Sequence, residues 1–337
     1  MSQIIPDGQL AKPNRQISLA DIVAPVAHSI QSVNELLLSE ISSSNQILTE
    51  RLACSGIGGG KRMRPALLLI SGACFGDIKK THVAAAAAIE MFHVATLVHD
   101  DVLDGATERR HIESLNSKWN NTTSILTGDF LFTRAMEIGC RSRSIEAVSR
   151  MASACSIVTE GEITQNAMVG NFEITQSLYT EMVAAKTAEL CKCACGLGAL
   201  LSECDDDMVA RFEQYGEDIG IAFQIIDDVL DLIGDEAVVG KTLGTDLVNK
   251  KATLPLILCL KQLDSTERKR WIEQLNDASW NLEEILELLI KTGSIEQARE
   301  HARSRCNRAL NFASSLKPSI YSNALVQLAN FVIERID

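Results

Sequence analysis

The sequence predicts an all-α protein on two observations. No proline lies between Pro65 and Pro255, so that whole interval lacks the residue that most reliably breaks a helix. The same interval is rich in Ala, Leu, Ile and Glu, with apolar residues recurring three and four apart, the period of amphipathic helices rather than strands. Whole-chain properties fit a globular protein: 337 residues, 46% hydrophobic, formal net charge −12. A chain of this length can bury a sizeable core as one large domain or two ordinary ones. Its acidic balance disfavours nucleic acid, or an acidic membrane surface, as a partner. No uninterrupted apolar run reaches the roughly 18 residues of a membrane span, and no basic-then-apolar leader opens the chain. No membrane span and a cytoplasmic location are therefore expected. The ten cysteines have no framework spacing and fall mostly in apolar helical pattern, which predicts reduced thiols. Cys191, Cys193 and Cys195 come closest to a cluster, but a helix sends the middle one to the opposite face, so no shared metal is expected.

Residues 1–18, with Pro6, Gly8 and Pro13, have no periodicity and read as a flexible arm. Ser18 or Asp21 can cap the first helix, with Pro25 near its start. The first irregular stretch is SGIGGGKRMRP, Ser55 to Pro65. Its glycines let the backbone approach a ligand, Lys61, Arg62 and Arg64 supply positive charge, and Pro65 opens a helix. Cations beside a helix N-terminus suit an anion, phosphate above all, whereas a solvated turn is the plainer reading. The loop is not a nucleotide P-loop, because no Ser or Thr follows the lysine. Helix is predicted from Ala66 to Phe75 and again from His82.

That second helix runs into HVATLVHDDVLDGATERR, residues 93–110. Asp100, Asp101 and Asp104 then fall within about a third of the helix circumference. Three like charges on one face repel unless a hard cation sits between them, and carboxylate oxygens are what Mg2+ prefers. His93 lies two turns earlier, either as a hydrogen-bonded core residue or as a ligand-binding one. Gly128–Ala135 (GDFLFTRA) is expected to start another helix, and GEITQ places Glu162 and Gln165 on a common polar edge. Lys186, Thr187 and Glu189 interrupt an apolar helix, where Lys186 either snorkels to solvent or aims a cation into a cleft. The pentapeptide DDVLD returns as Asp227, Asp228 and Asp231, with Gln224 completing an i, i+3, i+4, i+7 stripe. Its flanks are so apolar that burial around an internal cleft is expected. The segment after it offers Lys241, Lys250 and Lys251 to close over an anion, with Gly234, Gly240 and Gly244 allowing a lid to move. Residues 256–337 read as packing helices with breaks at Gly293–Ser294 and Pro318.

Two acidic faces, a Gly and Lys/Arg loop, an arginine pair and a lysine make a cleft for polyphosphate bridged by Mg2+. The chemistry that suits it is cleavage of a C–O bond to diphosphate, with positive charge stabilising the leaving group and apolar walls shielding a carbocation from water. No nucleophilic triad and no dinucleotide fingerprint is visible.

The motifs GGGKRMRP, HVATLVHDDVLDGATERR, GDFLFTRA, GEITQ, KTAEL, FQIIDDVLD and GKTLGTDLVNKKATLP occur in this order. In sequence and spacing they resemble those of the trans-isoprenyl diphosphate synthases, of the long-chain polyprenyl (octaprenyl or solanesyl) type. The resemblance runs from about residue 20 to the C-terminus. It implies an isoprenoid synthase fold over residues 19–337, a single all-α domain around a deep central cavity, and a homodimer. It also implies head-to-tail condensation: an allylic diphosphate ionises, the double bond of isopentenyl diphosphate attacks the cation, and a proton is lost. By the same resemblance Asp100, Asp104, Asp227, Asp228 and Asp231 would hold Mg2+, with Asp101 in support. Arg109, Lys186, Thr187, Gln224 and Lys241 would bind the allylic substrate, and Thr187 and Gln224 could stabilise the cation through their oxygens. Lys61, Arg64, His93 and Arg110 would bind isopentenyl diphosphate. The chain departs from the family pattern at His111 and Lys250, where glycine is usual. Ala95 and Thr96, five and four residues before Asp100, are not aromatic, which predicts a long-chain product with the cavity floor near Val148 or Met151. A shorter-chain synthase, a terpene cyclase, a head-to-head condensing enzyme, an inactive subunit of a heteromeric synthase and an HD-type phosphohydrolase using His99 and Asp100 stay open as alternatives.

Overall fold

The computed structural model describes residues 18–42, 45–109, 112–234 and 243–335, with only the backbone of Arg109 and Ile112. The rest of the N-terminal arm, Arg110, His111, Gly240 and Lys241 lie outside the described residues.

Ser18 caps α1 (Leu19–Val23) in a reciprocal box: its Oγ accepts from Asp21 N–H at 3.2 Å, and its own N–H donates to Asp21 Oδ2 at 3.0 Å. Pro25 sits not at the start of that helix but in the 3₁₀ turn Ala24–Val26 that follows it. Then come α2 (Ala27–Ile41), α3 (Gln46–Ala53), α4 (Met63–Ala73) and α5 (Lys80–Leu103). A hairpin of two-residue strands, β1 (Glu108–Arg109) and β2 (Ile112–Glu113), turns the chain after the first DDVLD; these are the only strands among the described residues. Next are α6 (Leu115–Lys118) and α7 (Asn121–Cys140). GDFLFTRA lies inside α7 and does not start it, because Asn120 is the cap, accepting from Thr123 N–H at 2.8 Å. The chain continues through α8 (Ile145–Ala167), α9 (Gln176–Val183), a π-helical turn (Ala184–Ala188), α10 (Glu189–Leu201) and α11 (Asp206–Ile233). After it come α12 (Thr245–Val248), α13 (Leu254–Gln262), α14 (Ser265–Asn276), α15 (Leu282–Lys291), α16 (Ser294–Ser315) and α17 (Ile320–Glu334).

α5 is the central helix, packed by α2, α4, α7 and α10. Its run Ala84–Ala88 is buried, and side chains this small let neighbouring helices come close. By length and composition alone α5 could cross a membrane, but 72% of its most apolar window is buried inside the protein. The sequence hid this helix from a search for unbroken apolar runs, because His82, Glu90 and His93 interrupt it. α11 links the two hydrophobic clusters of the core. Phe212, Tyr215 and Ile219 from its first half join α4, α5, α7 and α10. Ile221, Ile225 and Val229 from its second half join α9, α13 and α16. At the crossing, Asp218 is 1% exposed and takes Arg305 at 3.0 Å and Arg308 at 2.6 Å, so the buried charge is paired as burial demands. All ten cysteines are free thiols, and burial pushes Cys155 and Cys306 up to about 12.

Candidate active site

The last turn of α5 carries the first DDVLD. Asp101 is buried and lines a cavity of ≈ 720 Å³, Asp100 is half-buried, and Asp104 caps the helix, facing Lys251 Nζ at 3.5 Å. The end of α11 carries the second. Asp227 pairs with Arg335 at 3.3 Å, whose guanidinium lies 4.7 Å above the Phe223 ring. Asp228 is 4% exposed and accepts from Tyr179 Oη at 2.6 Å and Gln224 Nε2 at 2.9 Å. Burial, and then the charge of Asp246, raise its carboxyl to about 7. Asp231 is fully buried; its Oδ2 accepts from Asp246 N–H at 3.0 Å and its backbone carbonyl from Gly244 N–H at 2.7 Å. The stripe is thus divided in labour: Asp227 and Asp228 face basic and polar side chains, while Asp231 pins the chain where it returns after the second motif.

Lys251 joins the two motifs. Besides reaching Asp104, it lines a second cavity of ≈ 130 Å³ with Lys186, Thr187, Gln224, Asp228 and Asp246. Lys186 does not snorkel outward. Its Nζ donates to Gln165 Oε1 at 2.8 Å and pairs with Glu162, so the polar edge of GEITQ is its socket. Thr187 Oγ1 donates to Gln224 Oε1 at 3.1 Å, which completes a hydrogen-bonded chain Thr187–Gln224–Asp228–Tyr179. Both Lys186 and Thr187 sit in the π-helical turn, a distortion that concentrates at functional sites. Two glycines clamp it: a Cβ at Gly161 would lie 2.8 Å from both Ala185 Cβ and Lys186 N, and one at Gly220 would lie 2.6 Å from Ala188 Cα.

The Gly and Lys/Arg loop opens onto the larger cavity, where Lys61, Arg64 and His93 gather with Asp101 and Arg335. Arg62 parts company with its neighbours. It is 7% exposed, pairs with Glu90 at 2.8 Å and caps α4 in a left-handed conformation, φ 51°. Apolar walls come from Val94 and Leu97 of α5, Phe223 of α11 and Leu328 and Phe331 of α17. Ala95 and Thr96 are not among the residues lining this cavity: Ala95 is buried, and the Thr96 hydroxyl donates to His93 O at 2.8 Å.

Several expectations are corrected by these placements. Lys250 does not close over an anion: its Nζ donates to Asn276 O at 2.7 Å, and its φ of 52° explains why glycine suits that position. His99 turns away from Asp100 towards α7, 3.1 Å from Ile125 O and 3.4 Å from Asp129. Gly128 gives it room, since a Cβ there would fall 2.2 Å from His99 Nε2. The HD-hydrolase alternative loses its histidine. The C-terminal helix does more than the packing and subunit contact its sequence suggests, because Arg335 at its end reaches the second motif. Arg335, Tyr179 and Glu90 were all missed by sequence reasoning. A buried tyrosine hydroxyl needs a partner, which is the one local signal Tyr179 gave. Arg109 and Arg110 follow the first motif, but the Arg109 side chain, Arg110 and Lys241 lie outside the described residues.

A divalent cation fits the donors here in chemistry. They are carboxylate oxygens, the ligands of hard cations, and Asp104 and Asp227 already accept positive charge from Lys251 and Arg335. Among the described residues no three His, Cys, Asp or Glu side chains converge closely enough to hold a metal as they stand. Tyr179→Phe, which removes one donor to Asp228, is expected to lower kcat about tenfold, the cost of roughly one buried hydrogen bond to a charged group; steady-state kinetics check it.

Residues 45–290 match the polyprenyl synthetase family. The octaprenyl diphosphate synthase of Escherichia coli (strain K12) is 31% identical over 321 residues, 95% of this chain and 99% of that one. The geranylgeranyl diphosphate synthase of Saccharolobus solfataricus is 30% identical, over 91% of this chain and 96% of its own. A solved polyprenyl synthase from Caulobacter crescentus, complexed with calcium and isoprenyl diphosphate, superposes with a TM-score of 0.87 at 30% identity, covering 95% and 99% of the two chains. The matched segment holds both aspartate motifs, the loop at Lys61 and the lysine at 186, and the likeness runs on through nearly the whole of each chain. The chain therefore belongs to the polyprenyl synthetase family and is a prenyltransferase of the trans-prenyl diphosphate synthase type.

Proposed function

We propose that the protein is a long-chain polyprenyl diphosphate synthase that joins isopentenyl diphosphate head-to-tail to an allylic diphosphate with the help of Mg2+. The observation that carries this reading is Lys251, which reaches Asp104 of one acidic helix from a cavity it shares with Asp228 of the other. Asp100, Asp104, Asp227 and Asp228 would hold the metal; Asp101 and Asp231 support it, Asp231 with one oxygen already given to Asp246. Bound Mg2+ supplies Lewis-acid stabilisation of the departing diphosphate. Lys186, oriented by Glu162 and Gln165, holds that diphosphate, a task that Arg109 and Lys241 share. Thr187 and Gln224, hydrogen-bonded to each other through their oxygens, would offer the remaining oxygen lone pairs to the allylic cation. Lys61, Arg64, His93 and Arg110 hold the diphosphate of the second substrate, and Val94, Leu97 and Phe223 exclude water.

The direct test is incubation with farnesyl diphosphate, isopentenyl diphosphate and Mg2+, with product length read chromatographically. Elongation to hexaprenyl or beyond supports the proposal; a product that stops at geranylgeranyl rejects the long-chain part. Removal of divalent metal with a chelator should abolish turnover. The long-chain reading sets the small side chains of Ala95 and Thr96 along the growing product, although neither lines the larger cavity of this structure, and Met151 is packed core. Ala95→Phe is expected to shorten the product, and an unchanged product distribution would reject that geometry.

A homodimer fits the exposed apolar pair Ile125 and Leu126 on α7, at 44% and 63%, which a second copy would cover; sedimentation tests it. Ten unpaired thiols fit the reducing cytoplasm.

A further inference from the structure

Sequence presents Lys61, Arg62 and Arg64 as three equivalent cations on one loop. The structure separates them: all three line the larger cavity, Lys61 exposed and Arg64 half-buried, but each guanidinium nitrogen of Arg62 already donates to a protein acceptor. Nη1 donates to Glu90 Oε1 of α5 at 2.8 Å, Nε to Asn34 Oδ1 of α2 at 2.7 Å, and Nη2 to the carbonyl of Ile57 at the start of the loop. Glu90 is 5% exposed and stands one helical turn before His93, on the wall of the same cavity.

Resting on the proposed prenyl synthase reading, we propose that Arg62 is a positioning residue for the second diphosphate site, and that its pairing with Glu90 fixes Lys61 of the loop and Arg64 of the first turn of α4 against the helix carrying His93. Arg62 lines the same cavity, but each of its guanidinium nitrogens already donates to a protein acceptor, which ranks it behind Lys61 and Arg64 as a diphosphate ligand. The pair also has an electrostatic task. Glu90 faces the cavity beside three groups meant to hold an anion, and its own charge opposes that work unless a cation is locked onto it. A planar fork that spans three partners is what arginine offers and lysine does not. The left-handed backbone of Arg62 follows: the side chain must turn back under the loop while the next residue begins α4.

The test compares wild type with Arg62→Met, Arg62→Lys, Glu90→Gln and the double variant Arg62→Met/Glu90→Gln. Isopentenyl diphosphate binding is measured by calorimetry without metal, and KM by turnover with both substrates. Arg62→Met should weaken isopentenyl diphosphate about tenfold or more, as loss of fixed geometry does, while the KM of the allylic diphosphate stays within about twofold. Arg62→Lys should not restore binding. The double variant should bind more tightly than Arg62→Met, because the opposing carboxylate is gone. Equal weakening of both substrates with a lowered Tm would reduce Arg62 to a general structural role and overturn the proposal, as would unchanged isopentenyl diphosphate binding. Should Arg62→Met fail to fold, Arg62→Lys and Glu90→Gln decide, and wild-type affinity in both overturns it. Binding without turnover in the wild type would indict the prenyl synthase reading and leave this one to the calorimetry.

Discussion

Asp228→Asn is expected to lower turnover by about a hundredfold to a thousandfold, the scale on which removing one charge-stabilising group acts, while making the metal-free protein more stable above pH 7. The two effects have one cause. In the metal-free fold the Asp228 carboxyl is buried and faces Asp246, and its pKa rises from 3.8 to about 7. A raised pKa means that the folded state holds a proton the unfolded chain gives up near pH 4. Stability from this group is therefore complete below about pH 4 and is lost as pH climbs through about 7. Asparagine keeps the shape and carries no charge, so the variant should lack that decline. Melting temperatures in chelator at pH 5 and pH 8 read the stability half, and steady-state kinetics with Mg2+ read the other. A variant that loses activity and also loses stability at pH 8 would show that Asp228 is needed for folding, against the present assignment.

Lys186→Met should cost about a hundredfold in kcat/KM for the allylic substrate, roughly 3 kcal/mol of transition-state stabilisation. The ammonium is held by Glu162 and Gln165 of α8, and its removal also leaves Glu162 without that partner beside a site that must attract an anion. A companion variant separates charge from geometry. Gly161→Ala changes no charge, but its methyl would meet Lys186 N at 2.8 Å, so the backbone of the π-helical turn must move. An activity loss approaching that of Lys186→Met, with substrate charge recognition intact, is the expected result. Full activity in Gly161→Ala would mean that the turn tolerates displacement and that its position does not limit catalysis.

The fold was largely legible because its evidence is local. A long stretch without proline, apolar spacing of three and four, and caps such as Ser18 and Gly293 are all written within a few residues of where they act. The two aspartate motifs were legible for the same reason, since helical period alone places their carboxylates. What escaped was set by contacts between distant parts of the chain. Arg335 meets Asp227 across 108 residues and Tyr179 meets Asp228 across 49; nothing in the periodicity of either helix announces the partner. Arg62 and Lys61 are chemically alike and adjacent, so only the packing of α2 and α5 tells the anchored one from the available one. The π-helical turn has no composition of its own: AAKTA would serve an ordinary helix equally well, and the extra residue is accommodated because Gly161 and Gly220 let two helices press against it.

Both DDVLD motifs close long helices, α5 at Leu103 and α11 at Ile233, and neither helix has a basic residue in its final turn. Peptide dipoles summed along a helix leave its C-terminal end partly negative, so each cluster of acids is set where the backbone already repels it. That arrangement would be wasteful in a scaffold, but it turns both helix ends into standing electrostatic traps for cations. A divalent ion entering there would relieve backbone and side chains together, so thermal stability at low salt is expected to rise on adding even a catalytically inert one, as melting curves with and without it would read.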